Sequence, residues 1–449
     1  MAGRYKAYAE YKNSGVKWLG NIPTHWNVSK LKRYCQVTDG SHHSPKIEVD
    51  GKPFVSVTDV GENSINFESS KKISVDNYVR LVREGCKPKI GDVLLTKDGT
   101  IGRACIVKKD MPDFVILSSL GLLTPSKLVS ETYLYYYLVS GINIDQMNSL
   151  IHGSALRRMT ISKIDDLVFC FPEKQEQQKI ANFLDHETAK IDTLIAKQEK
   201  LIELLKEKRQ AVISHAVTKG LNPQAPMKDS GVEWLGEVPE HWTVGRVKNL
   251  AKLISKGTTP STIGGDFIDE GIRFLKGENI GKSLFVNPSP TFYISEEVDA
   301  QLSRSRLQEN DVLVIIAGAT TGKASILTKE LLPANTNQAV SFIRPKKAIY
   351  SKLITLWFST EFAQRIIWMG AVQAAQPNLS MENLGNLPIV LPDEVEIAPL
   401  LNEIDKKVEQ FDALIIKANS AIELMKERKT ALISAAVTGK IDVRDWEPK

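Results

Sequence analysis

Two glycine-rich segments come nearest to a catalytic pattern. GATTGKAS begins at Gly318 and resembles the loop that cradles phosphates in nucleotide-binding proteins. That loop needs four residues between its glycines and a Ser or Thr after its Lys, whereas here three residues intervene and Ala324 follows Lys323. Because the related segment DGTIGRAC carries Arg103 in place of the lysine, the pattern favours a glycine turn beside a strand.

A nuclease-like set of acidic residues is also present, formed by Asp393, Asp405 and Lys407. The carboxylates of such a site must converge on Mg²⁺ from adjacent strands. Asp405 and Lys407 instead lie in a segment with helical periodicity, and a related segment has Glu187 where the lysine should stand. There is no DPPY, NPPY or GxGxxG motif, and the four cysteines form no CxxC pair. The sequence therefore predicts neither a catalytic residue nor a metal site.

Three pairs of polar loops remain as candidate binding elements. DGSHHSPK corresponds to SKGTTPST, TKDGTIGR to IAGATTGK, and HGSALRRMT to VQAAQPNLS. Ser, Thr, His, Asn and Gln suit contacts with base edges, whereas Lys and Arg meet phosphates or guanine. The alternative that any one of these residues merely forms a turn stays open. The predicted DNA-binding residues are Thr38, Asp39, Ser41, His42, His43, Lys46, Lys97, Thr100, Arg103, Arg157, Arg158, Lys256, Thr258, Thr259, Lys276, Asn279, Thr320, Lys323, Gln376 and Asn378.

The loops occur in pairs because nearly the whole chain is duplicated. SGVKWLGNIPTHW (from Ser14) returns as SGVEWLGEVPEHW (from Ser230), and LLKEKRQAVISHAVTKGL returns as LMKERKTALISAAVTGKI. The loops differ more between the copies than these flanking segments do. The tryptophans of the two cassettes are either core anchors, which the composition of the segments favours, or part of a docking surface.

Gross composition limits the class of protein. A chain of 449 residues is long enough for two or more domains. The net charge of +5 and the pI of about 8.7 permit a polyanionic partner without requiring one. With neither an apolar leader nor a run of 18 apolar residues, the sequence predicts a cytoplasmic protein.

Each copy contains two kinds of segment, a β-rich part and a long helical part. Short β-rich segments such as PFVSV and DVLLT, interrupted by helical patterns, predict an α+β domain. A long helix follows, with one heptad row through Leu184 and Ile191 and a second row through Ile180, Glu187, Leu194, Leu201 and Lys208. Leu414 belongs to the second row of the copy, and Ile195 and Ile202 widen the stripe. Because the link between the copies is short, we expect the two long helices to pair antiparallel.

On these cassettes and on the block FPEKQEQQKIANFLDHETAKIDTL…AVTKGL with its weaker copy, the chain resembles the specificity subunit of type I restriction-modification enzymes. The resemblance implies two α/β-mixed target recognition domains separated by two long antiparallel coiled-coil helices, an α+β fold with internal pseudo-two-fold duplication. The predicted segments are 1–171, 172–218, 219–227, 228–391, 392–438 and 439–449, namely first recognition domain, central helix, linker, second recognition domain, distal helix and tail.

The resemblance also implies a function without catalysis in this chain. Each recognition domain would read one half of a bipartite, asymmetric double-stranded DNA target. Two methyltransferase subunits and the restriction subunits would dock on the chain and use S-adenosylmethionine, ATP and Mg²⁺, and no cofactor is expected in the chain itself. The alternatives are a coiled-coil scaffold without a DNA role and a self-contained nuclease or methyltransferase.

Overall fold

The computed structural model describes residues 5–151, 157–371 and 378–448 of the chain. The chain forms two compact units, Met1–Glu199 with Asn419–Lys449, and Lys200–Ala418. Each unit contains one globular domain and a part of each long helix. The predicted class, two α+β domains with long helices, is confirmed.

The globular part of the first unit contains twelve short strands among the described residues. These are β1 (Tyr11–Asn13), β2 (Asn21–Pro23), β3 (Asn27–Lys30), β4 (Cys35–Asp39), β5 (Ile47–Glu48), β6 (Lys52–Val55), β7 (Lys71–Ile73), β8 (Val93–Thr96), β9 (Ala104–Ile106), β10 (Val115–Ile116), β11 (Leu120–Pro125) and β12 (Val168–Phe171). They form sheets in the orders β4-β11-β8-β9 and β10-β6-β7-β5, with pairs β1-β2 and β12-β3. All four residues of β8 are buried, as its run of apolar residues predicts for a central strand.

Helices flank these sheets. They are α1 (Val75–Arg83), α2 (Glu131–Val139), α3 (Gly141–Leu150), α4 (Ile161–Asp165) and the long α5 (Lys174–Lys219). The hydroxyls of Ser74, Ser140 and Thr160 accept a backbone N–H at the starts of α1, α3 and α4, as expected of capping residues. Cys35, Cys86, Cys105 and Cys170 are buried and unpaired, and burial raises the pKa of the Cys170 thiol to about 12.

The second unit repeats this plan. Its strands are β13 (Met227–Asp229), β14 (Glu237–Pro239), β15 (Thr243–Arg246), β16 (Ala251–Lys256), β17 (Ile272–Leu275), β18 (Tyr293–Ile294), β19 (Val312–Ile315), β20 (Ala324–Ile326), β21 (Ala334–Thr336), β22 (Val340–Pro345) and β23 (Pro388–Leu391). Its helices are α6 (Val247–Leu250), α7 (Glu296–Gln301), α8 (Ile349–Phe358), α9 (Glu361–Ala371), α10 (Met381–Asn386) and the long α11 (Glu394–Val437). The sheet order β16-β22-β19-β20 matches β4-β11-β8-β9 of the first unit.

The long helices run antiparallel within each unit. In the first unit Asp192 of α5 bonds to Lys429 of α11, while Phe183, nearer the start of α5, packs on Trp446 beyond the end of α11. In the second unit Arg209 pairs with Asp412, and the end of α5 lies beside the start of α11. The predicted antiparallel direction is therefore observed in both units.

One feature of the predicted helix seam is wrong. Leu194, Leu201 and Leu414 were expected in the second heptad row, but all three are exposed. The residues that were predicted to widen the stripe include Ile202 and, in the copy, Ile422, and both of these are buried. An α-helix has 3.6 residues per turn, whereas a heptad repeat assumes 3.5. A row of residues spaced exactly seven apart therefore moves off the buried face over successive heptads.

Candidate nucleic-acid interface

In the first unit, backbone hydrogen bonds bring two of the three predicted loops together. Gly99 N donates to Arg157 O at 2.9 Å, and Met159 N donates to Lys97 O at 2.8 Å. The chain after β8 therefore runs beside the segment that begins at Arg157. The earlier part of that loop, from His152, lies outside the described residues.

Side chains from all three loops meet at this place. Lys97 Nζ lies 4.0 Å from Asp39 Oδ2 and 3.7 Å from Asp98 Oδ1. Asp39 also lies 3.0 Å from His42 Nε2, and Asp98 lies 3.2 Å from Arg158 Nε. The result is a chain of ionisable side chains with a lysine at its centre and two exposed residues, His42 and Arg158, at its ends.

Lys97 supports this network from within. Its residue is 1% exposed, and burial lowers the pKa of its ammonium group, opposed by Asp98 and Asp39. A cation at this depth attracts the two carboxylates and limits where they can move. We therefore assign Lys97 to positioning Asp39 and Asp98 in the free protein, because its own ammonium group does not reach the surface.

The other predicted residues of the first unit lie around this network. Gly40 passes so close to β10 that an added Cβ would overlap the Ile116 carbonyl, and buried Ser41 Oγ donates to His43 O at 2.9 Å. Arg157 Nη2 donates to Asn148 Oδ1 at 2.5 Å. The exposed residues are Thr38, His43, Lys46, Thr100 and Arg157.

In the second unit the same backbone arrangement carries different side chains. Ala317 bridges to Asn378, as Asp98 bridges to Arg158, and Leu379 N donates to Ile316 O at 2.8 Å. Ile316 is buried at the position of Lys97. An apolar pair, Ile316 and Ala317, and one amide, Asn378, thus replace the first unit's charged network.

The charge at the end of the neighbouring strand is inverted. Gly257 passes as close to the Thr336 carbonyl as Gly40 does to Ile116, which aligns Lys256 with Asp39. Lys256 and Thr320 are exposed, and Thr258 N donates to Thr336 O at 3.1 Å. Thr259 is partly buried, with its carbonyl accepting from Thr262 Oγ1 at 2.6 Å.

Two more predicted residues of the second unit, Asn279 and Lys276, lie away from the backbone bridge of Ala317. Asn279 is buried, and its amide donates to Asn287 O at 3.0 Å and to Pro290 O at 2.8 Å, so its side chain supports the loop and does not reach the surface. Lys276 Nζ lies 3.5 Å from the Phe292 ring centre. Gln376 lies outside the described residues.

Arg103 and Lys323 face the long helices. Arg103 lines a cavity of about 450 Å³ together with Asp192 and Lys429. Lys323 lines the corresponding cavity of the second unit, about 510 Å³, with Arg209 and Asp405. Their glycine loops are tight turns between antiparallel strands, as predicted: Gly322 N donates to Ile315 O at 2.8 Å and Gly102 N to Thr96 O at 3.1 Å.

A glutamate that was not among the predicted residues anchors each tryptophan cassette. Glu176 accepts hydrogen bonds from Trp26 Nε1 at 3.1 Å and contacts His25 Nε2 at 2.8 Å. Glu396 does the same for Trp242 at 2.7 Å and His241 at 3.1 Å. The sequence does contain a sign of this role. Glu176 and Glu396 occupy equivalent positions at the start of the two long helices, although the surrounding residues differ more there than elsewhere in the helices.

The two tryptophans of each cassette differ in burial. Trp26 and Trp242 are buried anchors, whereas Trp18 and Trp234 are 42% and 37% exposed.

In the described part of the chain, no cluster of three His, Cys, Asp or Glu residues could hold a metal ion. No described helix is both long and apolar enough to span a bilayer.

A globular domain that occurs twice, each copy packed on long helices and presenting its own set of polar loops, defines a modular recognition protein. The family model of the type I restriction modification DNA specificity domain matches residues 23–204 and 239–429. The chain belongs to this family, the non-catalytic DNA-recognition component of type I restriction-modification systems.

Individual relatives agree with this assignment. The chain is 24% identical over 450 residues to the putative type I restriction enzyme MjaX specificity subunit of Methanocaldococcus jannaschii, covering 97% of this chain and 98% of the relative. It is also 24% identical to the type I restriction enzyme EcoBI specificity subunit of Escherichia coli, over 68% of this chain and 65% of that relative.

One solved structure shares the fold. It is described as "Structural basis underlying complex assembly and conformational transition of the type I R-M system", and it matches with a TM-score of 0.65 at 13% identity. The match covers 93% of this chain and 98% of that chain.

Proposed function

We propose that this chain reads a bipartite, asymmetric DNA target, with one half-site for each globular domain. The first domain would use the network that ends in His42 and Arg158, and the second would use Lys256, Thr320 and Asn378. The chain would work in the cytoplasm, alongside the host DNA.

The difference between equivalent loop positions supports this proposal most directly. Lys97, Asp98 and Arg158 of the first unit correspond to Ile316, Ala317 and Asn378 of the second, on matching backbone bridges. Arginine forms bidentate contacts with guanine, whereas asparagine forms them with adenine. One scaffold with two side-chain sets suits two different half-sites.

Assembly completes the proposed function. Two methyltransferase subunits and the restriction subunits would bind this chain and bring S-adenosylmethionine, ATP and Mg²⁺. The chain itself would hold no cofactor and would supply the DNA sequence preference of the whole complex.

Sequencing of adenine methylation in host DNA tests the reading. The chain is co-expressed with its methyltransferase subunits as wild type, Arg158→Ala or Asn378→Ala. Each variant should relax one position of one half-site, about 10-fold to 100-fold in preference, and leave the other half-site intact. Lys197→Ala, an exposed change on α5, is the matched control and should leave the motif unchanged.

The alternatives predict different results. A scaffold without a DNA role predicts an identical methylation motif in every variant. A self-contained methyltransferase predicts methylation by the purified chain with S-adenosylmethionine alone.

A further inference from the structure

The first unit fills the space beside its cassette with an aromatic side chain from the start of the chain. Tyr8 OH donates to Glu176 Oε1 at 2.6 Å. The Tyr8 ring lies 6.0 Å from the Trp26 ring centre and 5.7 Å from that of His25. Glu176 therefore binds three donors, and its side chain is only 11% exposed.

The tail of the chain closes this arrangement. The Arg444 guanidinium lies 5.0 Å from the Tyr8 ring centre, and Lys179 of α5 donates to the Arg444 carbonyl. Trp446 packs edge-on against Phe183 at 5.4 Å. Two chain segments, one from each end of the sequence, thus cover the first turns of α5.

The second unit has the same anchor without the third donor. Trp242 and His241 bind Glu396, but no aromatic hydroxyl from the described residues reaches it. The Glu396 side chain is 43% exposed and borders an open pocket of about 240 Å³. Leu221, Pro239, Trp242 and Leu400 supply apolar walls to this pocket.

The first turns of α11 carry apolar residues where the first turns of α5 carry polar ones. Val395 stands where α5 has Gln175, and Pro399 stands where α5 has Lys179, the residue that holds the tail in the first unit. Both line the pocket, and Val395 is 83% exposed. Apolar side chains on an exposed helical turn are suited to contact with another polypeptide.

We propose that this pocket, with Glu396 at its edge, is a docking site for a tyrosine side chain on a segment of a partner protein. The tyrosine would take the place that Tyr8 occupies in the first unit. Its hydroxyl would donate to the free side of the Glu396 carboxylate, and its ring would pack against Trp242. This role is independent of DNA recognition by the loops.

The size and chemistry of the pocket fit this occupant. A cavity of about 150 Å³ holds a benzene ring, so about 240 Å³ admits a phenol ring. A hydrogen bond to a charged acceptor is stronger than one between neutral groups, and Glu396 offers such an acceptor beside an apolar wall. A phenylalanine would fill the volume but leave the carboxylate without its third donor.

The test uses the full chain labelled with 5-fluorotryptophan, with the Trp242 ¹⁹F signal assigned through a Trp242→Phe variant. The probe is the acetylated, amidated tetrapeptide AYAE, which copies residues 7–10 and contains one tyrosine. We expect a saturable shift of the Trp242 signal. A second peptide, with phenylalanine in place of the tyrosine that corresponds to Tyr8, should bind about tenfold more weakly.

Protein variants provide the second arm. Glu396→Gln should weaken binding of the tyrosine peptide by a similar factor, whereas Glu409→Gln, an exposed change on the same helix, should not. If Glu396→Gln fails to fold, the wild-type chain still tests the proposal, because its affinities for the tyrosine peptide and the phenylalanine peptide can be compared. No shift of the Trp242 signal, or equal affinity for the two peptides, would overturn the proposal.

Discussion

Lys429 of α11 donates to both carboxylate oxygens of Asp192 on α5, at 2.8 and 3.0 Å. The equivalent positions of the duplicated sequence are Arg209 on α5, for Lys429, and Asp412 on α11, for Asp192. Arg209 lies 3.0 Å from Asp412 in the second unit. The cation thus comes from α11 in one unit and from α5 in the other. The duplication of the sequence has become a duplicated ion pair between antiparallel helices.

A double-mutant cycle with Asp192→Asn and Lys429→Met should measure a coupling energy of about 0.5–1 kcal/mol in urea unfolding at pH 7, the upper end for a partly exposed pair. The pKa of Lys429 is raised. Burial by itself would lower this pKa, but the hydrogen bonds of Lys429 to Asp192 and the negative charge of Glu62 outweigh the effect of burial. The coupling is therefore complete below the ordinary lysine pKa of about 10.4 and is lost as the pH rises through the higher folded-state value.

The exposed pair Lys426 and Glu423 is the control for this cycle, because both of its partners lie on the surface of one helix. Its coupling should stay below about 0.3 kcal/mol. Equal coupling in the two cycles would contradict a special role for the pair between helices.

Two adjacent residues test which stripe of α5 is buried. Ile202 is 9% exposed and Leu201 is 43% exposed. Ile202→Glu should reduce the free energy of unfolding by about 3 kcal/mol, because it buries an unpaired charge and removes apolar contacts. Leu201→Glu should change it by less than about 0.5 kcal/mol. The reverse order would restore the strict heptad seam.

Removal of the cassette anchor should be costly. Glu176→Ala leaves the buried Trp26 indole N–H and the Tyr8 hydroxyl without their acceptor, so we expect a loss of about 2–4 kcal/mol in urea unfolding followed by tryptophan fluorescence. Gln175→Ala, an exposed change in the same turn, should cost less than about 0.5 kcal/mol. A loss for Glu176→Ala as small as that of the control would remove the anchor role.

Lys97→Met should stabilise the fold by about 1 kcal/mol at pH 7, because it removes the desolvation cost of a buried ammonium group while Asp39 and Asp98 keep His42 and Arg158 as neighbours. Burial lowers the folded-state pKa of Lys97, so the unfolded state holds the proton to higher pH. The free energy of unfolding of the wild type therefore rises as the pH increases from the folded-state pKa of Lys97 to about 10.4. The extra stability of Lys97→Met over the wild type should shrink across the same pH range.

Urea titrations at pH 7 and pH 9.5 measure this change, with the exposed Lys109→Met as a control that should show no pH-dependent difference. Destabilisation of Lys97→Met by more than about 2 kcal/mol would instead mean that the two aspartates depend on the lysine for the fold.

Part of the candidate interface followed from the sequence. The glycines of TKDGTIGR and IAGATTGK predicted tight turns, and the polar residues around them predicted loops suited to contacts with bases and phosphates. That the loops of the first unit meet at one place is a finding of the structure. The sequence did not indicate that Lys97 is buried or that Arg103 and Lys323 face the long helices. Those placements depend on how strands and helices pack, which the local pattern of polar and apolar residues does not specify.

The sequence by itself determined the duplication, the α+β class, the long helices and their antiparallel pairing, because periodicity, turn residues and a short linker act locally along the chain. Only the tertiary structure decided which helical stripe is buried, since small deviations from a 3.5-residue repeat accumulate over many turns. It also joined Glu176 to Trp26 and left Glu396 open beside Trp242. Residues about 150 positions apart meet through packing, which no local pattern of the sequence specifies.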